Sequence, residues 1–160
     1  MTKIAWKNGR GKLGVFKPVL GRWIAKADSE LGPVVCRREF TMILDGKFIQ
    51  LDAQWHIGGE ASSSRSYLER AIFGVDDDGE LHFWSFTSDG KRSTGWQSLA
   101  PDIHPNALCF SSDMPAGRAR QIYWPHEQDG FRWAVESRSK KGWNRFTDHH
   151  YQPHLVSAEL

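Results

Sequence analysis

The sequence predicts an all-β fold: about ten antiparallel strands in an up-and-down meander, closed into a barrel, with a short N-terminal helical turn. Three observations predict it. Asp45-Gly46, Asp78-Gly79, Asp89-Gly90 and Asp129-Gly130, together with Lys141-Gly142, each separate two strand-like runs. The runs between them alternate apolar and polar residues with period two, as half-buried strands do. Helical periodicity is confined to Leu13, Phe16 and Leu20, where Pro18 limits any helix to a turn or two.

The elements follow in order. Residues 1–20 read as a segment that plugs one end of the barrel, 21–151 as the barrel, and 152–160 as a tail, all within one domain. Arg22 to Ala27 is the first strand. Val34 to Leu44 is the second, with Val34, Cys36, Phe40, Met42 and Leu44 on one face and Arg37, Glu39 and Thr41 on the other. Phe48 to Ile57 alternates more cleanly, setting Ile49, Leu51, Ala53, Trp55 and Ile57 against Gln50, Asp52, Gln54 and His56. Tyr67 to Val75, Leu81 to Ser88, Ser93 to Leu99, Ala107 to Ser111, Arg120 to Trp124, Phe131 to Arg138 and Trp143 to Tyr151 complete the set. The Asp-Gly dipeptides suit type I′ hairpins, whose two central residues both need positive φ. Gly58 to Ser66 and Pro101 to Asn106 read as the long connections, the former polar and mobile. Ten such strands left as an open sheet would expose two edges, and closure removes them. At this strand number the interior can hold a ligand as well as side chains.

Composition narrows the function. The chain has 160 residues, a formal net charge of +2 and eight tryptophans, one residue in twenty. So much tryptophan marks a cavity, an interface or an aromatic core. The cations are dispersed, the densest groups being Arg37-Arg38 and 138–141, which argues against nucleic-acid binding. No apolar run reaches membrane-helix length, and Met1 to Lys12 lacks an apolar h-region, so neither a membrane span nor a signal peptide is expected. Cys36 and Cys109 sit in apolar runs without metal or redox spacing and read as buried thiols of a reducing cytosol. The expected localisation is cytoplasmic, and the expected state is a monomer or homodimer.

Leu20-Gly21-Arg22-Trp23 carries a family resemblance. A Gly-x-Trp opening the first strand after a short turn resembles the signature of the lipocalin-like, or calycin, barrels. The resemblance implies that Gly21 and Trp23 close one end, with an Arg from the last strands across the Trp ring: Arg145, or Arg138 as the alternative. A longer stretch is similar to a family of small bacterial calycin-like domains of unknown function. It takes in Leu44 to Phe48, Ile72 to Asp76, Leu81 to Ser88 with Trp84, and Gly142 to Tyr151, and it implies a fold more than a function. The related haem-binding nitrobindins have a first-strand pattern richer in glycine, and His149-His150-Tyr151 departs from their ligand segment. The Arg-x-Tyr pair of fatty-acid-binding proteins is missing.

Candidate chemistry is sparse. Adjacent strand residues His149 and His150 point to opposite faces, so at most one is internal. His56, His82, His104, His126 and His154 read as surface residues, with no recognised metal spacing. Asp76 to Glu80 reads as an acidic hairpin tip, since a calcium loop needs twelve residues between helices. Gly9-Arg10-Gly11-Lys12 lacks the strand–loop–helix setting of a phosphate loop. No nucleophile elbow or activated cysteine is evident, so the balance leans against an enzyme and no cofactor is required.

The informative residues are charges on apolar faces. Arg38 lies between Cys36 and Phe40, and Glu69 shares a face with Tyr67, Ala71 and Phe73, while Arg70 shares the other with Leu68 and Ile72. Inward charge is costly unless paired. Arg38 and Glu69 therefore form a structural pair, or Arg38 orients the anionic head of a ligand. The leading expectation is a small hydrophobic or amphipathic molecule bound inside the barrel by Arg38, Phe40, Met42, Trp55, Tyr67, Phe73, Trp84, Tyr123 and Trp133. The alternatives are a filled barrel acting as a structural or interaction protein, a haem-binding nitrobindin-like barrel, and an enzyme using an interior His or Glu.

Overall fold

In the computed structural model, residues 6–58 and 65–155 are described; most of the connection read as mobile, and the end of the tail, lie outside them. Ten strands run β1 Gly21–Ser29, β2 Gly32–Ile43, β3 Phe48–Ile57, β4 Arg65–Val75, β5 Leu81–Thr87, β6 Arg92–Ser98, β7 Leu108–Met114, β8 Gly117–Pro125, β9 Phe131–Ser139 and β10 Gly142–Pro153. Each pairs antiparallel with its chain neighbours, and β1 meets β10 to close the barrel. The closed ten-strand meander expected from the alternation is therefore present. Among the described residues no helix is long and apolar enough to cross a membrane.

The turns correct one expectation. Positive φ at both central residues occurs at Asp45-Gly46, but at Asp78-Gly79, Asp89-Gly90 and Asp129-Gly130 only the glycine has it. Those three Asp residues serve through their side chains or backbone, as where Asp78 Oδ1 and Asp89 Oδ1 accept the amides of Glu80 and Lys91. The end that carries the Asp89-Gly90 turn has a further device. Ser29, Met114 and Ser139 pair directly with Gly32, Gly117 and Gly142, each glycine at positive φ after a two-residue connection. We call the end holding these turns the upper end.

The lower end is plugged. Lys12–Val19 forms a 3₁₀ helix, whose Phe16 enters the barrel and meets the rings of Phe73 at 4.8 Å, Phe110 at 5.9 Å and Phe40 at 6.1 Å. Ile49, Leu51, Leu81, Phe83 and Phe131 complete a fully buried lower core. Burying such side chains contributes about 1.5–3 kcal/mol each, so this half is the fold's anchor. Trp23 lies at its edge, its Nε1–H donating to the Val19 carbonyl (2.8 Å) and its ring set edge-on to Phe131 (4.7 Å).

A second, smaller core lies outside the barrel wall. Ala100 and Ile103 of the β6–β7 connection cover Cys109, Ile122, Trp124 and Ala134. Beside it, buried Arg120 donates to Glu136 (2.8 Å) and to Asp102 (2.7 Å), fastening that connection to β8 and β9. Arg145 belongs to this network. It donates to Glu136 and Asp148, both at 2.9 Å, and lies 5.1 Å over Trp124. The expected Arg145–Trp23 closure is therefore not formed, and Arg138 packs on Trp143 instead. Alternation puts both arginines on the outer face, whereas Trp23 is inside; Phe131 and the Val19 carbonyl hold the Trp23 ring.

Candidate functional site

Above the phenylalanine layer the interior changes character. Alternation from buried Ala71, Phe73 and Trp133 sets Trp55, Tyr67, Glu69, Gln121, Val135 and Thr147 on the inner face, yet all six are only half-buried. An inner-face residue of a closed barrel meets solvent only through an opening or an internal void. Small residues leave that space: Ser85, Ser93, Ser112 and Ala119 line the same level on β5 to β8. Higher up, the β1–β10 seam also thins, since the register between the two strands consists of Trp23↔Pro153 and Ile24↔Gln152.

The floor of this space is Arg38. Its position on β2, opposite Trp23 and Ala53, leaves its side chain no route to water, and it is 2% exposed. The guanidinium lies 3.9 Å from the centroid of the Trp133 ring and within 6 Å of those of Tyr123 and Tyr151. A desolvated cation–π contact of this kind contributes about 2 kcal/mol. Nη1 donates weakly to the Tyr151 hydroxyl (3.4 Å). Nε and Nη2 are buried and have no hydrogen-bond partner among the described residues. Glu69 Oε1 is 3.8 Å from Nη2, an ion pair beyond hydrogen-bond reach, while the other Glu69 oxygen accepts from Ser85. Burial works against the charge on Arg38, but Tyr123, Tyr151 and Glu69 outweigh it and hold the guanidinium protonated. Burial raises the Tyr123 phenol to about 12 and the Cys36 thiol to about 11, so both stay neutral at physiological pH.

His149 is the internal member of the histidine pair. It is 8% exposed and packs against Trp55 (5.2 Å) and Trp133 (5.6 Å). Burial, aided by the charge on Arg38, lowers its pKa to about 4, and its Nδ1 also lacks a hydrogen-bond partner. Gln121 completes the polar ring, its Oε1 accepting from Trp133 Nε1 (3.3 Å) and from the Tyr123 hydroxyl (3.4 Å).

The residues expected to line a ligand site divide three ways. Arg38, Trp55, Tyr67, Tyr123 and Trp133 gather around the upper chamber, with Trp55 edge-on to both Tyr67 and Trp133. Phe40 and Phe73 belong to the filled lower core. Met42 and Trp84 lie elsewhere. Met42 is 53% exposed, beyond the plugged end, and lines a crevice with Leu13, Leu20 and Phe48. Trp84 alternates with the buried Leu81, Phe83 and Ser85, so it stands on the outer face, stacked near His82 (6.4 Å). Sequence alone missed His149, Gln121 and Tyr151, since period two shows which residues share a face without showing which face is inner. Their spacing as His149-x-Tyr151, two apart beside the buried β9 run, is the signal that was present.

A comparison with protein-family models found none that matches the chain, and a comparison with curated proteins found no match. The assignment of function therefore rests on this geometry.

Proposed function

We propose that the barrel is a calycin-like carrier or sensor of a small amphipathic molecule, which enters at the upper end and places an anionic head on Arg38. The observation that supports this reading is a guanidinium, 2% exposed, whose Nε and Nη2 have no hydrogen-bond partner among the described residues, below an inner wall on which Trp55, Tyr67 and Glu69 are only half-buried. These two nitrogens form one edge of the guanidinium fork, and a carboxylate or sulfonate engages such an edge with two parallel bonds. Glu69, held by Ser85, balances the charge without occupying the donors. Trp55, Tyr67 and Trp133 would cover the apolar part of the ligand, in the usual arrangement of an aromatic wall with a few convergent polar groups. The buried, unpaired thiols of Cys36 and Cys109 fit a reducing compartment.

The test uses tryptophan-quenching titrations with 8-anilinonaphthalene-1-sulfonate and its uncharged analogue N-phenyl-1-naphthylamine. The wild type is expected to bind the sulfonate more tightly. Arg38→Met should weaken the sulfonate about 10- to 100-fold, the value of a charge-assisted hydrogen-bond pair, and leave the neutral probe unchanged. Failure of both probes to bind would instead indicate a barrel that its own side chains fill.

A further inference from the structure

The lower part of the wall holds a second group of polar side chains, on its outer side and separate from the interior. His126 and Asp129 come from the β8–β9 connection and His150 from the outer face of β10. All three are half-buried, and their ligand-capable atoms lie within 4.8 Å of one another, the one such group among the described residues. We infer that His126, Asp129 and His150 form a site for a borderline divalent transition ion, with zinc as the reference case.

Two imidazoles and one carboxylate are a donor set that zinc-class ions accept, leaving a fourth position for water. Part of the spacing already fits. His150 Nε2 lies 3.2 Å from Asp129 Oδ1, and two ligands about 2.0 Å from a tetrahedral ion stand roughly 3.3 Å apart. His150 Nε2 also stands in hydrogen-bond reach of the Asp129 backbone carbonyl, a bond that ion binding at Nε2 would replace. The scaffold around the group is firm. The Asp129 carbonyl lies 2.8 Å from His150 Nε2, Gln152 donates to the Asp129 carboxylate (3.0 Å), and Gly130 leaves no room for a Cβ against the Tyr151 carbonyl. The connection is thus pressed onto β10 at this point.

His126 is the part that must move. Its ring stacks on His150 with centroids 3.6 Å apart and planes 11° from parallel. Two parallel rings cannot both aim an in-plane lone pair at one ion. Binding therefore tilts His126 out of the stack and releases its Nδ1 from the Gln128 amide, now 3.1 Å away.

The test titrates the metal-stripped full chain with zinc by calorimetry and with cobalt(II) by visible absorption. One equivalent is expected to bind, with d–d bands of a low-coordinate site and a rise in Tm. His150→Gln and His126→Gln should each lower affinity at least tenfold, and Asp129→Asn should do the same with the histidines intact. His82→Gln, in the separate acidic hairpin of Asp76 and Asp78, should change nothing. The inference is overturned if the wild type shows no saturable binding, or if the His126→Gln/His150→Gln double variant, folded by circular dichroism, binds as the wild type does.

Discussion

His149 is a buried imidazole with one unpartnered nitrogen among aromatic rings and a guanidinium, and its charge is therefore coupled to folding. Its folded pKa, about 4, lies below the ordinary value near 6.5. The unfolded chain then binds a proton that the folded chain refuses. Stability from this residue is full above about pH 6.5, declines as the pH falls, and levels off below about 4. Denaturant midpoints of the wild type and of His149→Phe, taken from pH 7.5 to 4, should diverge by on the order of 2 kcal/mol in that window, allowing for solvent entering from above. Parallel curves would show that folding leaves the proton affinity of His149 unchanged. The neighbouring Arg38 has a different character. The Arg38→Met variant keeps the volume but gives up the cation–π contact on Trp133 and leaves Glu69 without its ion-pair partner, so it should fold with a stability loss of about 2 kcal/mol by urea unfolding. Loss of anion binding in a variant that stays folded would separate the role of Arg38 in binding from its role in packing.

At the scale of elements, β6 is the strand with least slack. It meets β7 through Trp96↔Ser111, Gln97↔Phe110 and Ser98↔Cys109 alone. Gly95 makes the close approach possible: a Cβ there would lie 2.1 Å from the Ser111 carbonyl oxygen and 2.4 Å from the Phe83 ring. Gly95→Ala must part the two strands or expel Phe83 from the lower core. A loss of about 3 kcal/mol or more is expected by urea unfolding, the usual range for overpacking of this severity. A loss under 1 kcal/mol would mean that β6 can shift freely. The sequence offers β6 only as a short run, Ser93 to Leu99, and its glycine carries no such message, because the partner carbonyl is sixteen residues away.

The whole molecule is closed by its weakest ladder. β2 and β3 share ten register pairs, from Val34↔Ile57 to Ile43↔Phe48, whereas β1 and β10 share two. One of those two is Pro153, which has no N–H to give. The amide of His154 reaches the Arg22 carbonyl (2.9 Å) just below, and Trp23, Phe131 and Tyr151 pack behind the seam. Hydrogen exchange should therefore open the β1–β10 seam first, with amides near Ile24 and Gln152 exchanging well before those of β2 and β3. Uniform protection around the barrel would contradict this. The same thin seam beside His149 offers the upper chamber a flexible wall.

The sequence by itself determined the strands, their order and the plug. Period-two alternation and glycine-bearing turns are local properties, and Phe16 declared itself through its spacing from Leu13 and Leu20. Alternation also set Arg38 on the apolar face of its strand with Cys36 and Phe40, and Glu69 on that of its own with Ala71 and Phe73. Only the packed tertiary structure showed that the lower inner face is fully buried while Trp55, Tyr67, Gln121 and Val135 above it are only half-buried, because that depends on which side chains from ten strands meet at one level. It alone moved Trp84 and Arg145 to the outer face, and it alone brought His126 and Asp129 against His150. Those contacts join residues more than twenty positions apart, and no local pattern encodes the register that closure of the barrel imposes on them.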